Sequence, residues 1–423
     1  MSTRAPDWAG CIRSFFTQVM ENTDAWPQVA ALFYLLRGNP RLTNTSSSAS
    51  VLSASAILFT NYSHMSLPLH PRFLLFAGSC LGFCAGGMEA AEPPAVSLAE
   101  PATAVTEVLR DAIHSLQVPL PGRGLSQHPF LFTGEWDHRK NDQTIFLVRD
   151  GKVNWSYSIP IKDEHGVLQE LGDATLLSNG NIVFCRKVGA SEITPEKKIV
   201  WDLVAQPGCE IHSVQPIGLG HVLVTQNGNP AKVMLINTTT GKTEKEIVLP
   251  ATHPEKSHLQ FRRVHQTKAG TLLAAHLDGG KVAEYTEDGK EVWSYAIRSP
   301  WSAVRLKNGN TLITGYPSIV REVNQAGEVV WEFTQKDAPD YKFYIFQEAS
   351  RLANGNTVIC NWCPVHVKDP KNWPGTVQVI EVTPEKKIVW ALSAWGDPVD
   401  LGPASSIQLL DEPGRAEDGD LQR

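Results

Sequence analysis

The chain is short of charge of either sign. Only 19% of its residues are charged, and 38 basic against 44 acidic side chains leave a net charge of −6. There is no global basic field to hold nucleic acid, and no acidic excess of the kind that marks a disordered tail. No run reaches the 18 or so apolar residues that a membrane-spanning helix needs, so no stable membrane span is expected. Cysteine is sparse, at 7 residues in 423, and only Cys185, Cys209, Cys360 and Cys363 lie beyond position 91. That is too few for a disulfide scaffold, so stability must come from a core, which the 42% hydrophobic content can supply. Glycine and proline, at 32 and 28, are far below collagen-like or low-complexity usage and imply many turns. Length alone allows about two or three compact domains.

The nearest approach to a long apolar run is internal. Met65 is followed by one basic residue, Arg72, then a mostly apolar stretch from Phe73 to Ala85, then small residues ending at Ala90 and Ala91. This is the order of a secretory signal peptide. The expectation is that translation starts at Met65, that residues 1–64 are an upstream extension, that 65–91 are a signal peptide, and that the protein is exported, periplasmic or secreted. A short buried or interfacial helix in a genuine N-terminal domain and a lipid anchor on Cys80 or Cys84 are the alternatives. Residues 92–127 read as a Pro- and Ala-rich linker, within which Val108, Leu109, Ile113 and Leu116 have helical spacing.

From His128 the chain repeats itself. The octet Thr-Pro-Glu-Lys-Lys-Ile-Val-Trp occupies positions 194 to 201 and again 383 to 390. Related segments end at Trp155, Trp293 and Trp331, and a degenerate copy at 240–247 lacks its tryptophan. These copies divide the interval from Trp201 to Trp390 into steps of about 47 residues, a period that signals repeat architecture. Each period also carries β-rich runs joined at Asn-Gly, at 176–183, 305–313 and 351–359, a hairpin signal in which both turn residues tolerate positive φ. Four antiparallel strands per repeat make a propeller blade. The segment 405–410 looks like an inner strand without a partner, and 129–157 like a blade without an inner strand. The two complement each other, so the fold class expected for 128–412 is all-β: a six-bladed β-propeller closed by pairing of its ends, with 413–423 as a tail.

The Gly-Lys or Gly-Glu turn followed by Val-Trp (Gly151, Gly289, Gly327), with Thr-Gly-Lys at 240–242, resembles the repeats of PQQ-like propellers. The Asn-Gly-Asn turns and the Gly-Glu-Val-Val-Trp-Glu stretch at 327–332 are similar to arylsulfotransferase-like propellers and to exported bacterial propellers of no assigned activity. Quinoprotein dehydrogenases resemble the chain only in blade motif: their rings have eight blades and adjacent cysteines over the cofactor, whereas Cys360 and Cys363 are separated by two residues. PQQ is therefore not expected, and no other cofactor is called for.

Strand order puts the tight, uniform turns on one face and the variable loops on the other, where a scaffold usually presents its site. Counting back from each turn glycine aligns the starts of the inner strands. Seven back lie Asp173, Arg263, Ser302 and Glu348; eight back lie His212, Arg262, Trp301 and Gln347. This ring of mixed charge suits a small polar molecule or carbohydrate, or else fills the channel by mutual salt bridges. Trp136, Trp301, Trp362, Trp373 and Trp395 stand outside the repeat positions; stacking on a ligand such as a sugar ring, with Trp362 as a ligand contact, and core packing are both open. Cys360 and Cys363 read as a disulfide or two buried thiols, with redox or metal work as the lesser reading. The histidines show no metal-ligand spacing, and no metal is expected. His253 and His258 read as solvated.

The functional expectation is a binding or interaction module with a ligand in the funnel, and another protein on the variable face as a further partner. The alternative is an arylsulfotransferase-like or other propeller enzyme, with His212 or His276 as nucleophile or base and the funnel arginines holding charge; a third reading is lyase or hydrolase action on polysaccharide, for which only Asp173 and Glu348 qualify as the two carboxylates. A tight His–Arg cluster in the funnel would favour the enzyme; His212 among apolar residues would favour the module.

Overall fold

The computed structural model describes residues 119–420. The 1–64 extension, the 65–91 segment and the 106–116 stretch lie outside the described residues.

Alternating apolar runs punctuated by turns give six four-stranded antiparallel sheets. Five are continuous in sequence. The sixth joins Ala404–Leu409 to Phe130–Gly134, Asp142–Arg149 and Lys152–Pro160. In it Phe132 lies opposite Ile407 on one side and Phe146 on the other, so the chain ends close the ring as the sequence implied. The innermost strands Leu171–Leu176, Glu210–Pro216, Phe261–Gln266, Ser302–Arg305, Ile345–Arg351 and Ala404–Leu409 touch one another in a closed circle. Apolar clusters fill the space between blades. Leu131 and Ile145 of the shared blade, for example, pack with Leu171, Ile182 and Phe184 of the first. Each such side chain contributes roughly 1.5–3 kcal/mol on burial.

The repeat tryptophans join neighbouring blades. Trp155 donates its indole N–H to the Pro195 carbonyl at 2.7 Å, Trp293 to Gln325 at 3.1 Å and Trp331 to Pro384 at 2.9 Å. In each case the acceptor is the same turn position in the next blade. The next blade also lays a cation over the ring: Lys197 on Trp155, Arg305 on Trp293 and Arg351 on Trp331. Where the degenerate repeat replaces the tryptophan by Lys245, its ammonium pairs instead with Glu287, at the matching position of the following turn. Trp390 reaches the end of the linker, donating to the Gly124 carbonyl at 2.9 Å.

The Asn-Gly turns depart from expectation. Gly180, Gly309 and Gly355 have φ near +90°, but the preceding asparagines do not have positive φ. Each turn is a type I turn followed by a left-handed glycine, with the asparagine side chain accepting from the backbone N–H two residues on. The tail also does more than trail. Glu417 is buried, its carbonyl accepts from Gly218 N–H at 2.7 Å, and Asp420 pairs with Lys268, so the tail lies across the tight-turn face.

Trp331→Phe keeps the ring but removes the N–H that grips the next blade, and is expected to cost about 1 kcal/mol. Trp390→Ala empties a fully buried site and should cost about 3–5 kcal/mol. Guanidinium-induced unfolding of the two variants against the parent chain measures both, and equal losses would contradict this assignment.

Candidate functional site

The inner strands carry irregularities where they meet the variable face. Register breaks fall at Gly172–Asp173, His212, Arg262–Arg263, Gln347 and Ser405, each putting an extra residue into the inner strand. A bulge re-aims side chains that strict alternation would send to opposite faces. In the first blade this position is Gly172, where a Cβ would meet Cys185 Sγ at 2.8 Å and the His212 carbonyl at 3.2 Å, so that blade adds no side chain there.

The two neighbouring arginines are used differently. Arg263 crosses the channel: its Nε donates to Asp173 Oδ1 at 2.5 Å, and its other nitrogens donate to the carbonyls of Gln347 and Ser405 at 2.7 and 3.1 Å. Glu348 lies 3.8 Å from it. Burial would lower the Arg263 pKa, but Asp173 and Glu348 outweigh it and hold the group charged. Asp173, Arg263 and Glu348 therefore fill the channel by mutual pairing. Gln347 belongs with them, donating to Glu135 at 3.0 Å and accepting from Ser405 at 3.0 Å.

Arg262 instead points to the mouth. It lies over Trp301, with its central carbon 4.7 Å from the ring centroid, and donates to His212 Nδ1 and His258 Nε2, both at 3.1 Å. The far nitrogens of both imidazoles meet one carboxylate oxygen of Glu210, at 2.8 and 2.9 Å. A guanidinium can only donate, so the facing nitrogens must be acceptors and the far nitrogens carry hydrogen. The result is a closed ring, Glu210–His212–Arg262–His258, with both imidazoles neutral. Burial, reinforced by Arg262, pushes the His212 pKa down, in agreement. Burial would raise the Glu210 carboxyl, but its two imidazole partners hold it well below the ordinary range. Lys187 pairs with Glu210 at 3.2 Å, and Glu170 lies 3.7 Å from Arg262.

Beside this ring stands an aromatic wall. Trp301 is tilted against Trp362, with centroids 6.4 Å apart, and Trp362 stacks on Trp136 at 5.7 Å. Two N–H groups here, Arg262 Nε and Trp362 Nε1, are buried without a hydrogen-bond partner among the described residues.

The structure thus brings together His212, Arg262, Trp301 and Trp362, and separates them from Asp173, Arg263, Gln347 and Glu348 below. His276 is not brought to the cluster. It is buried in the third blade, 2.8 Å from the Tyr285 hydroxyl and edge-on to Phe261, and burial pushes its pKa down to about 4. Trp373 and Trp395 are packing residues that flank Arg139. Cys360 and Cys363 stand as two buried thiols with no bridge between them in this structure. They sit three residues apart at the end of a strand, where alternation sends them to opposite sides. Cys360 enters the apolar cluster with Phe130 and Trp390, while burial pushes the Cys363 thiol up to about 12.

His258 stays partly solvated, its side chain 41% exposed, but it is also held between Glu210 and Arg262, which the sequence did not suggest. Glu170 and Glu210 share a position ten before their turn glycines, two residues outside the aligned inner-strand starts, so the strand pattern does not single them out. Nor does it single out Glu135. A cavity of about 260 Å³ lies at the opposite end of the channel, lined in part by Arg351, Gln408, Glu412 and Asp420.

Residues 256–362 match the family described as outer membrane protein assembly factor BamB, and the repeats are of the PQQ-like kind. A protein of unknown function from Bacteroides caccae is similar in structure, with a TM-score of 0.57 and 25% identity over 66% of this chain and 97% of that one. A catalytically inactive form of virginiamycin B lyase from Staphylococcus aureus, with quinupristin, is similar at a TM-score of 0.45 and 14% identity over 65% and 88% of the two chains. No curated protein matches the chain. No helix among the described residues is long and apolar enough to cross a membrane.

Glu135 sets a pH dependence. Burial, with Glu170 adding to it, raises its pKa to about 7 against the pull of Gln347, Arg262 and Arg263. Between about pH 4.5 and 7 the folded protein then holds a proton that the unfolded chain has lost, so this group's stabilising contribution falls as pH rises through that window. Glu135→Gln should remove the decline and stabilise the protein at about pH 8 by an amount of order 1 kcal/mol. Melting curves at about pH 5 and pH 8 read this, and an equal shift at both pH values would refute it.

Proposed function

We propose that the protein is an exported β-propeller that binds a small, acceptor-rich polar molecule or carbohydrate at the mouth of its channel, held by Arg262, Trp301 and Trp362. The observation that carries this reading is the pair of buried, unpartnered N–H donors on Arg262 and Trp362. Buried donors are rarely left unsatisfied, and these two belong to one guanidinium–indole stack on the variable face, where a ligand's oxygens would satisfy them once the stack shifts to admit it. The faces of Trp136 and Trp301, both half-buried, suit a sugar ring. Export is supported by the signal-like order of residues 65–91 and by the match to an outer membrane protein assembly factor.

Screening glycans and small carboxylates against tryptophan fluorescence is expected to find a ligand. Arg262→Ala should weaken it at least tenfold, and Trp362→Phe, which loses one donor, about three- to tenfold. A ligand whose affinity is unchanged in both variants would sink the proposal.

The contact between His212 and Arg262, with Glu210 behind the imidazole, favours a second reading as an enzyme. Glu210 can orient the ring and stabilise it when it takes a proton, and Arg262 can hold developing negative charge. The arylsulfotransferase-like resemblance names sulfuryl transfer as the reaction to test. Turnover of an aryl sulfate donor, lost in His212→Ala and kept in His276→Ala, is the outcome this reading expects; no turnover by the parent chain counts against it.

A further inference from the structure

The ring at the mouth has the donor set of a metal centre with a guanidinium folded into it. The lone pairs of His212 Nδ1 and His258 Nε2 face one point, now taken by the two terminal nitrogens of Arg262, each 3.1 Å away. Glu170 offers its two oxygens to the same point, at 4.0 Å from His212 Nδ1 and 3.9 Å from His258 Nε2. All three donor atoms lie within 4.8 Å of one another. Donors around Zn²⁺ at about 2.0–2.2 Å stand roughly 3.0–3.5 Å apart, so closure by about 1 Å would complete the site.

We infer that Glu170, His212 and His258 bind a first-row divalent metal ion such as Zn²⁺, which takes the place of the Arg262 guanidinium. Three features support it. Each imidazole already gives its far N–H to Glu210, the arrangement by which metal-ligating histidines are oriented and made more basic. Two histidines and one carboxylate leave a coordination position open, as in zinc sites that receive a ligand rather than closed structural ones. Arg262 has somewhere to go: it already stacks on Trp301, and its Nε has no partner in the present arrangement. A divalent ion in the place of the guanidinium, with Arg262 still close by on Trp301, adds positive charge beside Glu170 and Glu210, which favours a ligand with a negative oxygen at the open position.

The three residues come from the approach to the first blade, the second blade and the approach to the third, about one repeat apart. No local spacing motif could show them. The site is the one proposed above for a polar ligand, but the metal is tested alone, so either idea can fail without the other.

The test uses the full chain, stripped with a chelator and titrated with Zn²⁺ by calorimetry and with Co²⁺ by visible absorption. One Zn²⁺ per chain is expected, with Co²⁺ bands of an imidazole-coordinated ion. Glu170→Gln and His258→Ala should each weaken binding at least tenfold. Glu210→Gln should weaken it about 10- to 100-fold through lost orientation, and Arg262→Ala should tighten it; circular dichroism shows that each variant is folded. Absence of saturable binding to the parent chain overturns the inference even if Arg262→Ala binds, because the guanidinium is then a permanent occupant. Undiminished binding by the His212→Ala/His258→Ala double variant also overturns it, because the metal then sits elsewhere.

Discussion

The grip of one blade's outermost strand on the turn of the next is the constraint from which the site follows. An indole N–H fixed to a neighbouring carbonyl, with a cation over its ring, sets both the spacing and the tilt between two blades. Each hydrogen bond contributes only about 1 kcal/mol and each cation–π contact about 0.5–2. Their weight lies in repetition at three of the six junctions, those of Trp155, Trp293 and Trp331, in a closed circle that exposes no unpaired inner edge. The junction that has lost its tryptophan shows that the position matters more than the residue: Lys245 reaches the matching place of the next turn through Glu287. Because the angles are held this way, the inner strands converge, and six strand starts can share one funnel.

Convergence alone would bring backbone, not chemistry, to the axis. The bulges supply the rest by turning consecutive residues toward different depths. Arg262 and Arg263 are neighbours in sequence, yet one joins imidazoles and an indole at the mouth while the other spans the channel to Asp173 and two carbonyls. A buried arginine with that many acceptors gives little net stability, since desolvation cancels much of the Coulombic gain. It does give a single arrangement, because few other placements satisfy all its donors at once. The channel below the mouth is thereby occupied, and whatever binds at the mouth meets a polar floor rather than an open pore.

The blade count, the closure through Ile407 and the face that carries the unusual residues were legible in the sequence, since they depend on periodicity and strand order. The octet and the Asn-Gly turns are repeated often enough to show the period directly. What was not legible depends on geometry that alternation cannot express. Strict two-residue alternation assigns Arg262 and Arg263 to opposite faces but cannot say which one reaches the mouth, because the bulge decides that. His258 looks like any loop histidine until the loop folds back over Glu210. The Asn-Gly pair signals a hairpin without distinguishing a turn with two left-handed residues from one with a single left-handed glycine.

The two functional readings and the metal inference all turn on Arg262. Its donors close the ring on both imidazoles, so neither His212 nor His258 has a free lone pair while it stays. A nucleophilic or basic role for His212 requires the guanidinium to leave Nδ1, and coordination of an ion requires the same departure. A ligand that offers oxygens to Arg262 would compete with the imidazoles for its N–H groups, and so would favour that departure as it binds. On these readings Arg262 would link recognition to the chemistry of the histidines, since a single movement of one side chain would satisfy a ligand and expose the imidazoles together.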